Sequence, residues 1–194
     1  FIDSLAAGGK ERRLTELIKG LQKKSGINFE VVVMNKDVHF KEIFDLGVNV
    51  HFIIRKSKKD FSVFFQLHKI CKQFKPDIIH CWDSMTAVYS VPVAKLLRIK
   101  LVNGMIVDCP SVRNFRNKTW LRGKLTFPFS NMVIGNSIAG LSAYGVSGKK
   151  SVCIYNGFNF DRTAGVTNQD IIRQKLAITT RYVVGMVASF SIYK

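Results

Sequence analysis

The sequence predicts an α/β fold with a doubly wound, mostly parallel, Rossmann-like sheet. Short apolar runs alternate along the chain with segments whose apolar residues recur at helical spacing. Most of these runs are nearly continuous rather than alternating in polarity, which is typical of strands buried on both faces. A glycine pair between the first run and the first helical segment adds a strand–turn–helix unit of the kind from which such sheets are built.

The first unit comprises Phe1-Ile2, which we interpret as the end of a buried strand, the turn at Gly8-Gly9, and a helix with Leu14, Ile18 and Leu21 on one side. The glycine pair lets the backbone turn sharply and approach a ligand, and the free N–H groups of the helix N-terminus favour a phosphate there. The pair belongs to neither a G-x-G-x-x-G motif nor a Walker motif, so a purely structural tight turn is the alternative.

The later elements continue the alternation. Gly47 and Pro76 stand where helices are expected to end, and Asp83-Ser84 and Ser137 stand where helices are expected to begin. Strands are predicted at 29–34, 49–54, 77–82, 100–107, 131–136 and 151–155, and helices at 40–46, 61–74, 85–97 and 137–145.

The last part of the chain has a different character. A linker-like stretch at 159–165 precedes a short helix at 170–176 and a new apolar strand at 182–187, which opens a unit that the chain does not finish. We therefore expect a Rossmann-like domain at 1–158, a linker and short helix at 159–180, and the first strand of a truncated C-terminal domain at 181–194.

The composition is strongly basic. The chain of 194 residues carries 30 basic against 13 acidic residues, a formal net charge of +17, and Asp108 is the one acid between Ile99 and Phe160. Such a charge balance favours polyanionic partners: nucleic acid, anionic lipid or phosphorylated small molecules.

The four cysteines (Cys71, Cys81, Cys109 and Cys153) form no C-x-x-C pair and have no histidine at metal spacing, which favours a reducing, cytoplasmic setting over a structural zinc site. No uninterrupted apolar run is long enough to cross a bilayer.

Candidate binding residues follow several of the predicted strands. In a doubly wound sheet the ligand lies outside the carboxyl ends of the strands. Four groups of residues are predicted to lie at such strand ends: Gly8-Gly9, the segment 80–83, Val107-Asp108 and Asn136-Ser137. We therefore expect a ligand site along this edge of the sheet.

Four motifs, in this order, give the chain a family resemblance: Leu5-x-x-Gly8-Gly9-x-Glu11-Arg12, Asp77-Ile78-Ile79-His80, the run from Ile154 to Asn159, and the run from Gly185 to Ser191 followed by x-x-Lys194. Over nearly the whole chain they resemble the N-terminal half of a retaining glycosyltransferase of the GT-B fold, family 4. The resemblance implies two Rossmann-like domains that face each other across a cleft, the first holding the acceptor and the second most of the nucleotide-sugar donor.

The resemblance also implies a reaction and some of its residues. A sugar would pass from a nucleotide-sugar substrate to a hydroxyl of a glycan or lipid-linked acceptor with retained configuration, without a metal or a separate cofactor, in cell-surface polysaccharide or glycolipid synthesis. Gly8 and Gly9 match the glycine loop beside the donor phosphates and sugar, and Lys194 matches the cation that neutralises the leaving diphosphate. The expected location is the cytoplasm, with peripheral attachment to the inner face of the bacterial membrane as a further expectation.

Two positions depart from the family pattern. Ser189 stands where the family often has an Arg, and Val107-Asp108 stands where it often has a His near the acceptor hydroxyl. Asp108 is thus the candidate for positioning that hydroxyl or for weak base catalysis, with a turn residue ahead of Pro110 as the alternative. The candidates for acceptor binding are Arg12, Arg13, His80, Trp82, Asp83 and Asn136. For His80 the alternative is a core histidine, and for Trp82 and Asp83 it is packing and helix capping.

A basic and aromatic segment runs from Arg113 to Phe129. Cations interleaved with aromatic rings describe a surface that binds anionic lipid, and the same mixture serves nucleic acid or is simply solvated charge. The expected membrane-docking residues are Arg113, Arg116, Lys118, Trp120, Arg122 and Lys124.

Two further functions remain open at this point. The charge is compatible with a nucleic-acid-binding α/β domain, although no DNA- or RNA-reading motif is present. A nucleotide-sugar epimerase or another dinucleotide enzyme would require G-x-G-x-x-G and Tyr-x-x-x-Lys, which the chain lacks. If the transferase interpretation holds, this chain alone is expected to be inactive, because most of the donor site lies outside it.

Overall fold

The computed structural model describes residues 1–6, 8–57, 60–106, 114, 116–165 and 168–186. The chain divides into two compact units, Phe1–Asn156 and Gly157–Lys194. The helices of the first unit are α1 (Gly9–Gln22), α2 (Glu42–Asp45), α3 (Ser62–Phe74), α4 (Ser84–Leu97), α5 (Lys118–Thr126) and α6 (Ile138–Ala143). Its strands are β1 (Val31–Val33), β2 (Val50–Phe52), β3 (Ile78–Cys81), β4 (Lys100–Ile106), β5 (Met132–Gly135) and β6 (Ser151–Cys153).

All pairings between these strands are parallel. β1 pairs with β2, and β3 to β6 form a second set in chain order. The segment Phe1-Ile2 joins the two sets: the Ile2 N–H donates to the Val32 carbonyl at 2.9 Å, and the Trp82 N–H donates to the Phe1 carbonyl at 3.0 Å. The strand order is therefore β2, β1, Phe1-Ile2, β3, β4, β5, β6. This confirms the predicted doubly wound parallel sheet.

Helices cover the two faces of the sheet from different parts of the chain. Val31 and Val33 of β1 are buried in one cluster with residues of α1 and with Ile43 of α2, while Val32 is buried in another cluster with α3 and α4. A strand buried on both faces in this way explains why the sequence there is a continuous apolar run. A third cluster joins β4 and β5 to Phe127 and to α6.

Three helix boundaries follow directly from local sequence. Asp83 forms a capping box with Thr86 at the start of α4, and Gly47 and Gly145 take left-handed backbone angles (φ 65° and 63°) soon after α2 and α6 end. The structure adds α5, which the sequence analysis did not predict; the Asn117 side chain accepts hydrogen bonds from Thr119 and Trp120 at its start.

The second unit contains α7 (Gln169–Lys175), whose first turn is capped by Asn168. The strand expected at 182–187 is not formed over its described part, 182–186, where Val184 is 99% exposed. A strand requires a neighbour to accept its backbone hydrogen bonds, and the described residues of this unit supply none.

Candidate functional site

The strand order places a crevice between Phe1-Ile2 and β3. From Phe1-Ile2 the chain proceeds to β1 and β2 on one side, and it then crosses to β3 and continues to β6 on the other. At such a switch point the connections that leave neighbouring strands diverge to opposite faces of the sheet. The connection from Phe1-Ile2 leads to the glycine turn and α1, and the connection from β3 leads to α4.

Charged and polar side chains bridge this crevice in a group that we call the rim cluster: Asp3, Ser4, Lys10, Glu11 and Asp83. The Asp3 N–H donates to Asp83 Oδ2 at 2.9 Å, which links the two diverging connections. Lys10 forms an ion pair with Asp3 and lies 3.7 Å from a Glu11 carboxylate oxygen. The rim cluster therefore fixes the glycine turn against the first turn of α4.

The two glycines of the turn have different surroundings. A Cβ atom at Gly8 would collide with the Glu11 carboxylate, which is nearly buried and accepts a hydrogen bond from Ser4 Oγ at 3.4 Å. A Cβ atom at Gly9 would meet no atom within 4 Å. Gly8 thus serves internal packing, and open space lies beside Gly9 at the N-terminus of α1.

Asp83 serves as the N-cap of α4. Its Oδ1 accepts hydrogen bonds from the Met85 and Thr86 N–H groups at 3.0 and 2.9 Å, and its Oδ2 accepts the one from Asp3. Burial raises the pKa of Asp83, and the nearby negative charge of Asp3 raises it further, while the charge of Lys10 acts in the opposite direction. Helix capping, the alternative considered from sequence, is therefore present at Asp83.

His80 and Trp82 lie together at the end of β3, with ring centroids 4.8 Å apart. Burial lowers the pKa of His80 to about 4, and the Phe1 amino group contributes in the same direction, so the imidazole is neutral at physiological pH. The ring lies over Gly104, where a Cβ atom would be 2.8 Å from His80 Nε2. Trp82 packs against the cluster of apolar residues under α1.

The remaining acceptor candidates lie apart from the rim cluster. Arg12 on α1 lies over the Phe40 ring, 5.7 Å from its centroid. Arg13 donates from Nε to the Gly9 carbonyl at 3.2 Å and from its guanidinium to the Asn156 side chain. Asn136 follows β5, and its N–H donates to the Ile106 carbonyl at 3.4 Å. The structure thus brings Arg13 to the glycine turn and leaves Asn136 at the ends of β4 and β5.

The basic residues expected at a membrane separate into two groups. Arg116, Lys118 and Lys124 are exposed, and the Lys124 ammonium lies 5.4 Å from the centre of the half-buried Trp120 ring. Arg122 is half-buried instead, and its Nη1 donates to Ser84 Oγ at 3.2 Å. Asp108, Arg113, Ser189 and Lys194 lie outside the described residues.

Sequence reasoning overlooked several residues of the site. Asp3 and Lys10 belong to the rim cluster, and Ser84 receives Arg122. Asp3 directly follows the first strand segment, so the rule that ligand groups collect at strand ends would have found it.

Within the described ranges, no group of three histidine, cysteine, aspartate or glutamate side chains is placed to hold a metal ion. The described helices include none with the length and apolarity to span a membrane.

Comparison with known proteins identifies a family. The model of Glycosyltransferase Family 4 matches residues 7–162, which include the glycine turn and β1 to β6. No curated protein sequence matches significantly.

Solved structures of low sequence identity share the fold. Anabaena Alr3699/HepE in complex with UDP superimposes with a TM-score of 0.68 at 17% identity, over 91% of this chain and 48% of that protein. The lipopolysaccharide outer core galactosyltransferase WaaB in its apo form has a TM-score of 0.64 at 16% identity, over 82% and 46% of the two chains. UDP-GlcNAc 2-epimerase from Neisseria meningitidis bound to UDP-GlcNAc has a TM-score of 0.60 at 13% identity, over 92% and 53%. The chain thus spans about half the length of these structures.

Proposed function

Because the chain belongs to glycosyltransferase family 4, we propose that it forms the acceptor-side domain of a retaining glycosyltransferase. The whole enzyme would transfer a sugar from a nucleotide-sugar donor to a hydroxyl of a glycan or lipid-linked acceptor. The observation that carries the proposal is the family match over residues 7–162, which contains the glycine turn and the connections of the crevice. Open space beside Gly9 at the N-terminus of α1 supports a place there for the donor's phosphates and sugar.

The proposal assigns the opposite side of the crevice to the acceptor. His80 is neutral there and offers one ring nitrogen as donor and one as acceptor, and Trp82 offers an aromatic face for the C–H surface of a sugar. Asp83 contributes by holding α4 in place. Asp108 stays the proposed group for positioning the acceptor hydroxyl, and Lys194 the proposed cation for the leaving diphosphate. No metal enters the proposed reaction.

We further propose that α5 and the end of α4 dock the protein onto anionic lipid. Leu96, Leu125 and Phe129 are 72%, 58% and 48% exposed, and Lys95 lies 5.8 Å from the centre of the Phe129 ring. With the exposed Lys118 and Lys124, these side chains combine apolar surface with positive charge. Exposure favours this set over the one expected from sequence, in which Trp120 and Arg122 are half-buried.

Nucleotide-sugar turnover tests the catalytic proposal. A protein that carries this domain together with a donor-binding domain should release nucleoside diphosphate from one nucleotide sugar of a panel, and faster with an acceptor hydroxyl present. NMR of the product should show the donor's anomeric configuration retained, and turnover should persist in EDTA. The isolated 194-residue chain should be inactive. Product of inverted configuration would contradict the retaining mechanism, and absence of turnover across the panel would contradict the transferase.

Co-sedimentation with liposomes tests the membrane proposal. Binding to vesicles that contain phosphatidylglycerol should decrease at least about a hundredfold in L125S/F129S, since burial of each large apolar side chain contributes roughly 1.5–3 kcal/mol and a factor of ten corresponds to about 1.4 kcal/mol. The pair I171S/L176S, which also removes exposed apolar side chains, serves as the control. Equal loss in both pairs, or no binding of the unaltered protein at low salt, would refute the surface.

The net charge of +17 favours nucleic acid as a second candidate partner. That function predicts a steep decrease of affinity for generic DNA or RNA with salt. Tight binding at physiological salt, combined with no nucleotide-sugar turnover, would favour it.

A further inference from the structure

Strand β4 is irregular close to its carboxyl end. Three residue steps on β4, from Asn103 to Ile106, lie opposite two steps on β5, from Val133 to Gly135. β4 therefore contains one residue more than its neighbour over this stretch, which is a β-bulge. A bulge bends its strand and changes the direction of nearby side chains, and bulges are frequent beside functional sites. The question is which residues hold this one in place.

The side chain of Asn103 holds the bulge from the direction of α5. Its Oδ1 accepts a hydrogen bond from the Met105 N–H at 3.3 Å, inside the bulge. Its Nδ2 donates to Thr126 Oγ1 at 3.1 Å and to Ser130 Oγ at 3.4 Å. The two hydroxyls donate in turn to the carbonyls of Arg122 and Thr126, at 2.8 and 3.0 Å, so their lone pairs are available to the amide.

This polar network lies in the interior of the protein. Asn103 is 0% exposed, and Thr126 and Ser130 are each 2% exposed. An apolar side chain is the usual occupant of such a strand position, because a buried amide is costly unless its polar atoms are hydrogen-bonded. Here both ends of the amide are bonded, and a buried network in this state allows one arrangement of the backbone. Asn103 thus fixes the course of β4 relative to α5.

The bulge places the backbone of Gly104 against the His80 ring. A Cβ atom at Gly104 would lie 2.8 Å from His80 Nε2 and 3.2 Å from the Cys81 carbonyl oxygen, so a side chain there would displace the imidazole. Successive residues of a strand face opposite sides of the sheet. Asn103 faces α5, and position 104 faces His80. One short piece of backbone therefore connects the buried amide to the imidazole.

We propose that Asn103 is a positioning residue for the acceptor. By holding the bulge it fixes the His80 imidazole at the crevice, and the imidazole in turn positions the acceptor sugar. The inference rests on the proposed function, which assigns His80 to the acceptor side. Asn103 itself does not touch the acceptor. Loss of its amide should displace the imidazole and leave the donor side, at Gly9, unaffected.

NMR of the histidine rings in the 194-residue chain tests the positioning, with the His80 signals identified by their absence in H80Q. In N103A these signals should move, and the pKa of His80 should rise from about 4 by roughly one unit, because the displaced ring gains access to water. N103S retains a hydroxyl that accepts from the Met105 N–H and should restore part of the original spectrum. T126V removes one acceptor of the Asn103 amide and should move the signals less.

Leu141→Ala is the control for a merely structural role. Leu141 belongs to the same apolar cluster as Met105 and Ile106, and its truncation leaves a cavity without removing a hydrogen bond of Asn103. The His80 signals should stay in place in L141A. T126V keeps the test conclusive if N103A does not fold. Unchanged His80 signals in the folded variants of Asn103 and Thr126, or an equal displacement in L141A, would overturn the positioning role.

Kinetics then test the consequence for the acceptor. In a protein that joins this domain to a donor-binding domain, N103A should raise the KM for octyl glucoside, the acceptor probe, about tenfold, the loss expected for one misplaced hydrogen bond. The KM for the nucleotide sugar should not change. An equal rise of both KM values would overturn the acceptor role. If no nucleotide sugar is turned over, the proposed function fails, and the NMR result still decides whether Asn103 positions His80.

Discussion

Gly8 and Gly9 are neighbours in one turn, yet the surrounding atoms assign them different tasks. Gly8 makes room for the nearly buried Glu11 carboxylate, whereas Gly9 faces open space as the first residue of α1. From sequence the two residues are equivalent members of a glycine pair. The difference arises because Glu11, three residues after the N-cap, folds back onto the turn.

Gly8→Ala should therefore destabilise the chain, and Gly9→Ala should not. The added methyl group at position 8 displaces Glu11 from its contacts with Ser4 and Lys10, which we expect to reduce the free energy of unfolding by about 1–3 kcal/mol. At position 9 the exchange should be neutral or stabilising by up to about 1 kcal/mol, because alanine favours a helix. Urea denaturation measures both. A G9A variant as unstable as G8A would contradict the described turn.

His80 predicts a pH dependence of stability. Its folded pKa is about 4, against an ordinary value of 6.5. Between these values the unfolded chain binds a proton that the folded chain does not, so the free energy of unfolding should decrease as the pH falls from 6.5 to 4. The contribution is at most about 1.4 kcal/mol per pH unit. H80Q should reduce this slope, with H68Q as the control for loss of a histidine from α3. An unchanged slope in H80Q would show that His80 titrates normally.

At the scale of elements, α4 depends on its N-cap. Asp83→Ala removes the acceptor of three backbone N–H groups and should reduce the free energy of unfolding by about 2 kcal/mol. Asp83→Asn keeps a side-chain oxygen for the cap, so it should reduce the free energy of unfolding by less than Asp83→Ala does. Asp77→Ala, which removes an exposed carboxylate just before β3, is the control. Thermal unfolding of D83A, D83N and D77A gives the order of their stabilities. Equal stability of D83A and D77A would contradict the capping role of Asp83.

The raised pKa of Asp83 gives the opposite pH trend to His80. A carboxyl group whose folded pKa exceeds its unfolded pKa contributes stability while it is protonated, and this contribution is lost as the pH rises through the folded value. D83N has no carboxyl group to titrate and should lack this pH-dependent component. Its free energy of unfolding, relative to that of the unaltered chain, should therefore be highest at neutral pH. If the difference between D83N and the unaltered chain is constant from pH 4 to 8, then Asp83 has no such shift.

The elements also show what the sequence could and could not predict. β1 was predictable because its continuous apolar run is buried on both faces, and α4 was predictable from Asp83-Ser84. α5 was missed because its buried residues are Gly123 and Thr126, which give no apolar periodicity. Thr126 instead accepts a hydrogen bond from the buried Asn103 of β4 at 3.1 Å. The inward direction of Arg122 follows from that packing, so charge patterning alone assigned it to the surface.

At the scale of the whole molecule, the sheet order and the family match agree on the fold. The motifs predicted the family, and the family model matches residues 7–162. The sheet then places the glycine turn and the start of α4 on either side of the crevice, joined by the hydrogen bond from Asp3 to Asp83. The hydrogen bond between Asp3 and Asp83 could not be predicted, because it joins residues 80 positions apart that meet only when Phe1-Ile2 enters the sheet beside β3.

Nucleotide-sugar turnover by the G9A variant is the most direct test of the central claim, that the crevice at the glycine turn is the ligand site of a glycosyltransferase. In a protein that joins this domain to a donor-binding domain, G9A should lose at least tenfold in turnover because its methyl group occupies the space proposed for the donor, while its melting temperature does not decrease. Full turnover by a folded G9A protein would contradict the claim.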